Sequence, residues 1–241
     1  VSPVAWFDAD WYWHQNPDVA EAGDDPYAHY LAYGAAEGRT PRPDAAVIGA
    51  SGLFERASYL AGNPDVAGSG QDPMVHYCAH GWTEGRWPNP YFDPAWYAKR
   101  HLGALPRPVN PLSHYVLWGE AADLRPAPWF DPGWYRRRYG LRPGVSPLRH
   151  YLENRNGQAV SPTPHFDVEF YVARHRAELG AGRDPFAHYL HHGSLADLDP
   201  SPTFDAAAYR RRFMRGRAGA AGSRALEQRN PLVHFLVFAE G

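Results

Sequence analysis

Asp25-Pro26-Tyr27-Ala28-His29-Tyr30-Leu31-Ala32-Tyr33-Gly34 is the stretch that decides the fold. Its aspartate is a helix-capping residue, and its proline suits a first helical turn, where the missing N–H would lack a partner anyway. Apolar side chains then recur at i, i+3 and i+4 (Tyr27, Tyr30, Leu31), one stripe of a short amphipathic helix. Gly34 falls where a left-handed C-terminal residue is expected, as do Gly81, Gly119 and Gly193. The same start returns as Asp72-Pro73, Asn110-Pro111, Ser146-Pro147, Asp184-Pro185 and Asn230-Pro231. Each proline leads to a histidine three residues on, giving His29, His76, His114, His150, His188 and His234.

Working outward, every copy is preceded by an opener. These are Trp6-Phe7-Asp8, Leu53-Phe54-Glu55, Tyr91-Phe92-Asp93, Trp129-Phe130-Asp131, His165-Phe166-Asp167 and Thr203-Phe204-Asp205. In the opener the acidic residue caps a first helix, and Phe7 with Tyr12 fits a hydrophobic staple. That helix stops at Asn16-Pro17 and Asn63-Pro64, because a residue before proline avoids the α region. Pro17-Asp18-Val19-Ala20 and Pro64-Asp65-Val66-Ala67 read as one further capped turn. Downstream, Pro-x-Pro at 41/43, 88/90, 126/128, 162/164 and 200/202 reads as an extended connector into the next unit.

The opening phenylalanines stand at 7, 54, 92, 130, 166 and 204, a period of about 38 residues. The first interval is longer because Asp44 to Gly52 is inserted; the last repeat is stretched by Arg215 to Arg224, a Gly-, Ala- and Arg-rich loop. A two-helix unit of this size cannot bury its own stripe, whereas stacked neighbours can. The expectation is therefore an all-α fold, a single repeat domain over residues 1–241 made of six two-helix repeats joined by Pro-x-Pro connectors. The repeats span residues 4–43, 52–90, 91–128, 129–164, 165–202 and 203–241.

The 241 residues are 44% hydrophobic, enough for a packed core, and the formal charge of −2 offers no bulk field for nucleic acid or an acidic membrane. Cys78 is the lone cysteine, so no intrachain disulfide forms; on an apolar helix face it reads as a small core residue. No run reaches the roughly 20 apolar residues of a transmembrane helix. The start Val1-Ser2-Pro3 lacks an initiator Met and a signal-peptide pattern, which reads as a piece of a longer protein.

The repeated histidine lies on the helix side opposite the Tyr27/Leu31 stripe. It reads as a structural position on a second packed face, tying one unit to the next through a connector or carbonyl, rather than as a ligand site. His76/His80 and His188/His192 are i, i+4 pairs of the kind that ligate metals, but no acidic or thiol partner recurs to complete a site, so no metal and no cofactor is expected. Trp11, Trp96 and Trp134 share one helix position and read as core. Trp82 and Trp87, flanking a loop-like stretch, are the candidate exposed stacking pair, and Arg39 and Arg86 either bind an anion or hydrogen-bond helix carbonyl ends. Arg136 and Arg210 begin the runs 136–138 and 210–212, which with Arg215 and Arg217 could contact an acidic polymer or form a solvated face. There is no nucleophile elbow, P-loop, dinucleotide fingerprint or paired Cys-x-x-Cys, and the aspartates are accounted for as caps, so no catalytic residue is assigned.

Written as Phe-Asp-x-x-Trp-Tyr, Asn-Pro-Asp-Val-Ala, Pro-x-x-His-Tyr-x-x-x-Gly and Glu-Gly-Arg, the unit resembles short bacterial α-helical repeats attached to polysaccharide-building glycosyltransferases and to some large secreted proteins. Asn16 to Ala20 with Glu37 to Arg39, and Asn63 to Ala67 with Glu84 to Arg86, carry the fullest match. Arg155 and Ala239 depart from it at the Gly position, and Ala208 departs at the Trp position. The resemblance implies a non-catalytic accessory module whose partner is the parent's catalytic domain or another protein, with a polysaccharide as a further partner. The rival readings are a carbohydrate-binding array using Trp and Arg, and a structural spacer of a secreted protein. Location follows the parent: membrane-proximal cytoplasm beside a glycosyltransferase, or outside the cell for a secreted one.

Overall fold

The computed structural model describes residues 7–106, 108–157, 159–180, 183–214, 226 and 229–238. The loop expected over Arg215 to Arg224, and Trp6 and Ala239, lie outside them. The described residues are all-helical: they form many short helices, with two isolated antiparallel bridges (Ala127–Phe130 and Ser201–Phe204) and no strand. The chain divides into two compact units, Val1–Leu124 and Arg125–Gly241.

In the first unit, Asp8 accepts from the Trp11 N–H at 3.0 Å and so caps Ala9–Gln15. The chain breaks at Asn16, makes the short helix Pro17–Ala22, and restarts at Asp25, whose carboxylate accepts from Ala28 N–H at 2.7 Å. Pro26–His29 is α-helical and passes without interruption into the π-helical turn Tyr30–Gly34, closed by the Ala35 N–H to the Tyr30 carbonyl at 3.0 Å. Residues 55–85 repeat this order as Arg56–Gly62, Pro64–Ser69, Pro73–His76 and Tyr77–Gly81. In residues 93–119 the order shortens to Pro94–Tyr97 with Ala98–Leu102, then Pro111–His114 with Tyr115–Gly119. The insert between the first two openers is helical. It forms the helix Asp44–Ser51, whose Val47 and Ile48 are fully buried as it packs on Pro73–His76, Pro111–His114 and Tyr115–Gly119.

In the second unit the first helices are Pro132–Tyr139, Val168–Leu179 and Ala206–Phe213, capped by Asp131, Asp167 and Asp205. The second helices are Pro147–Asn154, Pro185–His188 continuing as Tyr189–Gly193, and Pro231–Phe238.

The core of each segment is a triad of rings. Phe7 lies 5.3 Å from Tyr12, and Tyr12 meets Tyr30 edge-on at 5.8 Å. The same geometry recurs in Phe54/Tyr59/Tyr77, Phe92/Tyr97/Tyr115, Phe130/Tyr135/Tyr151, Phe166/Tyr171/Tyr189 and Phe204/Tyr209/Phe235. Edge-to-face rings are the arrangement their quadrupoles favour, each pair adding about 0.5–1.5 kcal/mol beyond area burial.

The Pro-x-Pro segment does more than lead forward. The Asp8 N–H donates to the Pro41 carbonyl at 2.9 Å, Glu55 to Pro88 at 3.0 Å, Asp131 to Pro162 at 3.1 Å and Asp167 to Pro200 at 2.9 Å. The end of a segment thus returns to its own opener and closes the segment on itself. The connector is bent rather than extended as expected: the carbonyl of the residue between the prolines accepts from the opener phenylalanine's N–H in the turns Asn89–Phe92 (3.4 Å), Ala127–Phe130 (3.2 Å), Thr163–Phe166 (3.4 Å) and Ser201–Phe204 (3.3 Å).

Candidate functional site

The repeated histidine has the same kind of partner at all six of its positions. Its Nδ1 is hydrogen-bonded to the hydroxyl of the triad tyrosine: His29 to Tyr12 at 3.1 Å, His76 to Tyr59 at 2.9 Å, His114 to Tyr97 at 2.9 Å, His150 to Tyr135 at 2.9 Å, His188 to Tyr171 at 2.8 Å and His234 to Tyr209 at 3.0 Å. These bonds run between the two helices of one segment, not from one unit to the next as the helix-face argument expects. A buried phenol hydroxyl left unpaired costs about 1–3 kcal/mol, and the imidazole removes that cost. Tyr97, Tyr135 and Tyr171 are fully buried, and burial pushes their phenol pKa upward; Tyr59 is pushed up to about 12. Burial also lowers His114, with a smaller contribution from nearby His101, to about 4. At neutral pH this pair is a neutral phenol on a neutral imidazole. That is the opposite of an activated nucleophile and its base, which need a lowered phenol pKa and an imidazole titrating near the working pH.

The glycines five residues after four of these histidines complete the node. They do not adopt the left-handed conformation expected of a helix end: Gly34, Gly81, Gly119 and Gly193 are absent from the positive-φ residues and terminate the π-helical turns. Their requirement is closeness. A Cβ on Gly34, Gly81 or Gly119 would stand 2.2 Å from the hydroxyl of Tyr12, Tyr59 or Tyr97, and one on Gly193 would stand 2.3 Å from that of Tyr171. The left-handed residue comes four positions later, at Gly38 and Gly85 (φ 72° and 70°) and at Asp123 and Asp197 (φ 50° and 53°). Where Arg155 replaces the glycine, Pro147–Asn154 stays α-helical, with the Arg155 N–H on the Tyr151 carbonyl at 2.9 Å.

Asn-Pro-Asp and Glu-Gly-Arg prove to be two halves of one contact. Arg39, 7% exposed, grips Asp18 with two parallel bonds of 2.8 and 2.6 Å, donates to Asn16 Oδ1 at 2.9 Å and to Glu37 at 2.6 Å. Asn16 in turn donates from Nδ2 to the Tyr12 carbonyl at 2.7 Å, so its side chain links helix end to arginine instead of capping Pro17–Ala22. Arg86 repeats the set with Asp65, Asn63 and Glu84. The hydrogen bonds from Arg39 hold Asp18 down to a pKa of about 2. Arg39 and Arg86 therefore engage carboxylates and an amide of their own segment.

The other sequence candidates are dispersed. Trp82 and Trp87 are half-buried, not an exposed pair, and Trp82 lines an apolar cavity of about 610 Å³ with Pro94, Ala98, Leu102 and Val109. Arg136 donates to the Val145 carbonyl at 3.2 Å. Arg210 binds Asp197 at 2.6 Å, the Arg229 carbonyl at 2.8 Å and the Ser194 carbonyl. His76 and His80 stand ring to ring at 5.9 Å, His188 and His192 at 5.5 Å; among the described residues no group of three or more His, Cys, Asp or Glu is placed to hold a metal. Cys78 is half-buried, its thiol pushed up to about 12 by burial. The partner that sequence reasoning missed is the tyrosine. Its signal was a constant spacing of 17 residues to the histidine in four segments, and 21 residues from Asp18 and Asp65 to Arg39 and Arg86.

No family model, curated protein or solved structure matches the chain. Among the described residues no helix is long and apolar enough to cross a membrane.

Proposed function

We propose that the chain is a non-catalytic scaffold of six tandem two-helix repeats that serves as an accessory positioning module beside a bacterial glycosyltransferase of surface-polysaccharide synthesis. One observation carries the scaffold reading: the side chains that recur between segments are engaged with one another inside their own segment. The histidine meets the tyrosine, the glycine makes room for the tyrosine hydroxyl, the aspartates cap helices, and in the first two segments the arginine meets the Asn-Pro-Asp turn. Residues occupied this way are not available to a substrate, which weighs against a reaction written six times over. The glycosyltransferase setting rests on the motif resemblance of this sequence.

The test is deletion of this chain from the enzyme it accompanies. The reading predicts shorter or scarcer polymer with unchanged turnover on a soluble acceptor, and unchanged polymer yield and length would remove it. Direct glycan recognition by Trp82, Trp87 and the arginines is the rival. Saturable binding on an array of bacterial surface polysaccharides, lost in Trp82→Ala, would favour that rival.

A further inference from the structure

The sixth opener differs from its siblings beside the triad tyrosine. Where Trp11, Trp96 and Trp134 stand, the sixth segment has Ala208. In the siblings the indole is half-buried. Trp11 packs on the cluster of Phe7, Tyr12, Val19 and Tyr30, while Trp96 and Trp134 set an edge against the ring five residues on, His101 at 5.7 Å and Tyr139 at 6.2 Å. The corresponding ring in the sixth segment is Phe213. It rests on Tyr209 at 4.8 Å, as Tyr139 rests on Tyr135 at 4.6 Å, yet it is 50% exposed.

Around Ala208 a cavity of about 650 Å³ opens, walled by Phe204, Tyr209, Phe213, Phe235 and Phe238, with Asp205 and Arg212 among its lining residues. The triad rings Phe204, Tyr209 and Phe235 are half-buried, whereas Phe130, Tyr135 and Tyr151 are at most 1% exposed. Loss of the indole alone does not open both tyrosines: the second segment has Ser58 at this position, and its Phe54 is half-buried while Tyr59 and Tyr77 remain at 1% and 0% exposure. In the sixth segment the missing ring and the opened triad coincide.

We propose that this cavity seats a tryptophan side chain presented by a partner polypeptide. The siblings supply the argument for that occupant, since an indole fills the same position in three of them and in two of these stands edge-on to the ring five residues on. The walls offer aromatic edges and faces, which favour a flat ring over an aliphatic chain. The Arg212 guanidinium lies 5.0 Å over the Phe213 ring, placed to act on the face of an incoming indole, the most electron-rich of the aromatic side chains. The Asp205 carboxylate, whose Oδ1 accepts from the Ala208 N–H at 2.7 Å, has further acceptor capacity for the indole N–H. The inference rests on the correspondence of the segments proposed above and not on the glycosyltransferase setting.

The test uses N-acetyl-tryptophanamide as probe, followed by amide chemical shifts of the whole chain, with N-acetyl-leucinamide and methyl β-glucopyranoside as comparisons. The expected result is saturable shifts around Ala208, Phe213 and Phe238 with the tryptophan probe alone. Those shifts should vanish in Ala208→Trp, which carries its own indole and melts higher than the parent, and weaken at least about threefold in Phe213→Ala, which removes the ring face. A wild-type chain that ignores the tryptophan probe overturns the proposal, as does one that prefers the glucoside or binds as tightly in Phe213→Ala. If Ala208→Trp melts higher while the wild type ignores the probe, the segment correspondence stands and the seat does not.

Discussion

At Gly119 a single methyl group separates two opposed expectations. Alanine is the better helix former by about 0.5–1 kcal/mol, so an unconstrained helix position would gain from Gly119→Ala. Here the new Cβ would meet the Tyr97 hydroxyl at 2.2 Å, and overpacking of that kind costs about 1–3 kcal/mol. The steric effect wins, and urea unfolding should show a net loss of stability. Tyr97→Phe removes the oxygen that clashes, so the double variant should lose less than the sum of the two single losses. The histidine end of the node predicts a pH dependence. The folded chain holds the His114 proton less tightly than the unfolded chain, with the pKa lowered from 6.5 to about 4. Its contribution is therefore intact above pH 6.5, is lost as the pH falls toward 4, and is flat below that. Midpoints measured across this window should fall less in His114→Leu than in the parent. At this scale the aspartate caps were legible in the sequence, because a capping carboxylate acts on its own backbone two or three residues away; Glu55, expected to cap with them, makes no side-chain cap bond. The role of the glycine was not, because its constraint is a hydroxyl on another helix.

Among the elements, the short helices Pro17–Ala22 and Pro64–Ser69 depend on a contact made 21 residues downstream. Arg39→Lys keeps the charge but cannot form the paired bonds to Asp18 together with those to Asn16 and Glu37, and a lysine substitution at such a forked site is not conservative. We predict a loss of about 1–3 kcal/mol, with faster amide exchange concentrated in Pro17–Ala22. Uniform exchange protection in that variant would show that the arginine does not hold the turn. The contact should also weaken in acid: the lowered pKa of Asp18 means that its stabilisation is present above about pH 4 and fades as the pH falls through about 2. The sequence announced both halves of this contact as motifs without showing that they belong together, since periodicity locates faces but does not pair them. The fold of the insert was not legible for a related reason. Asp44–Ser51 has no counterpart in the other segments, so its burial of Val47 and Ile48 could be seen only once its neighbours were in place.

For the whole molecule, the all-helical class followed from the periodic caps, prolines and stripes, whereas the closure of segments did not follow from any local pattern. The Pro-x-Pro stretches read as spacers because extended backbone carries no partner within itself; the return of their carbonyls to the openers at 8, 55, 131 and 167 is a non-local event. The central claim is that the recurrent residues are structural pairs within a segment. A double-mutant cycle on Tyr97 and His114, using Tyr97→Phe and His114→Leu in equilibrium unfolding, tests it most directly. The account predicts a coupling of about 1 kcal/mol, and the same for Tyr171 and His188 in the second unit. Additive losses in both cycles would contradict it, because the histidines would then be held for something other than the tyrosines they touch.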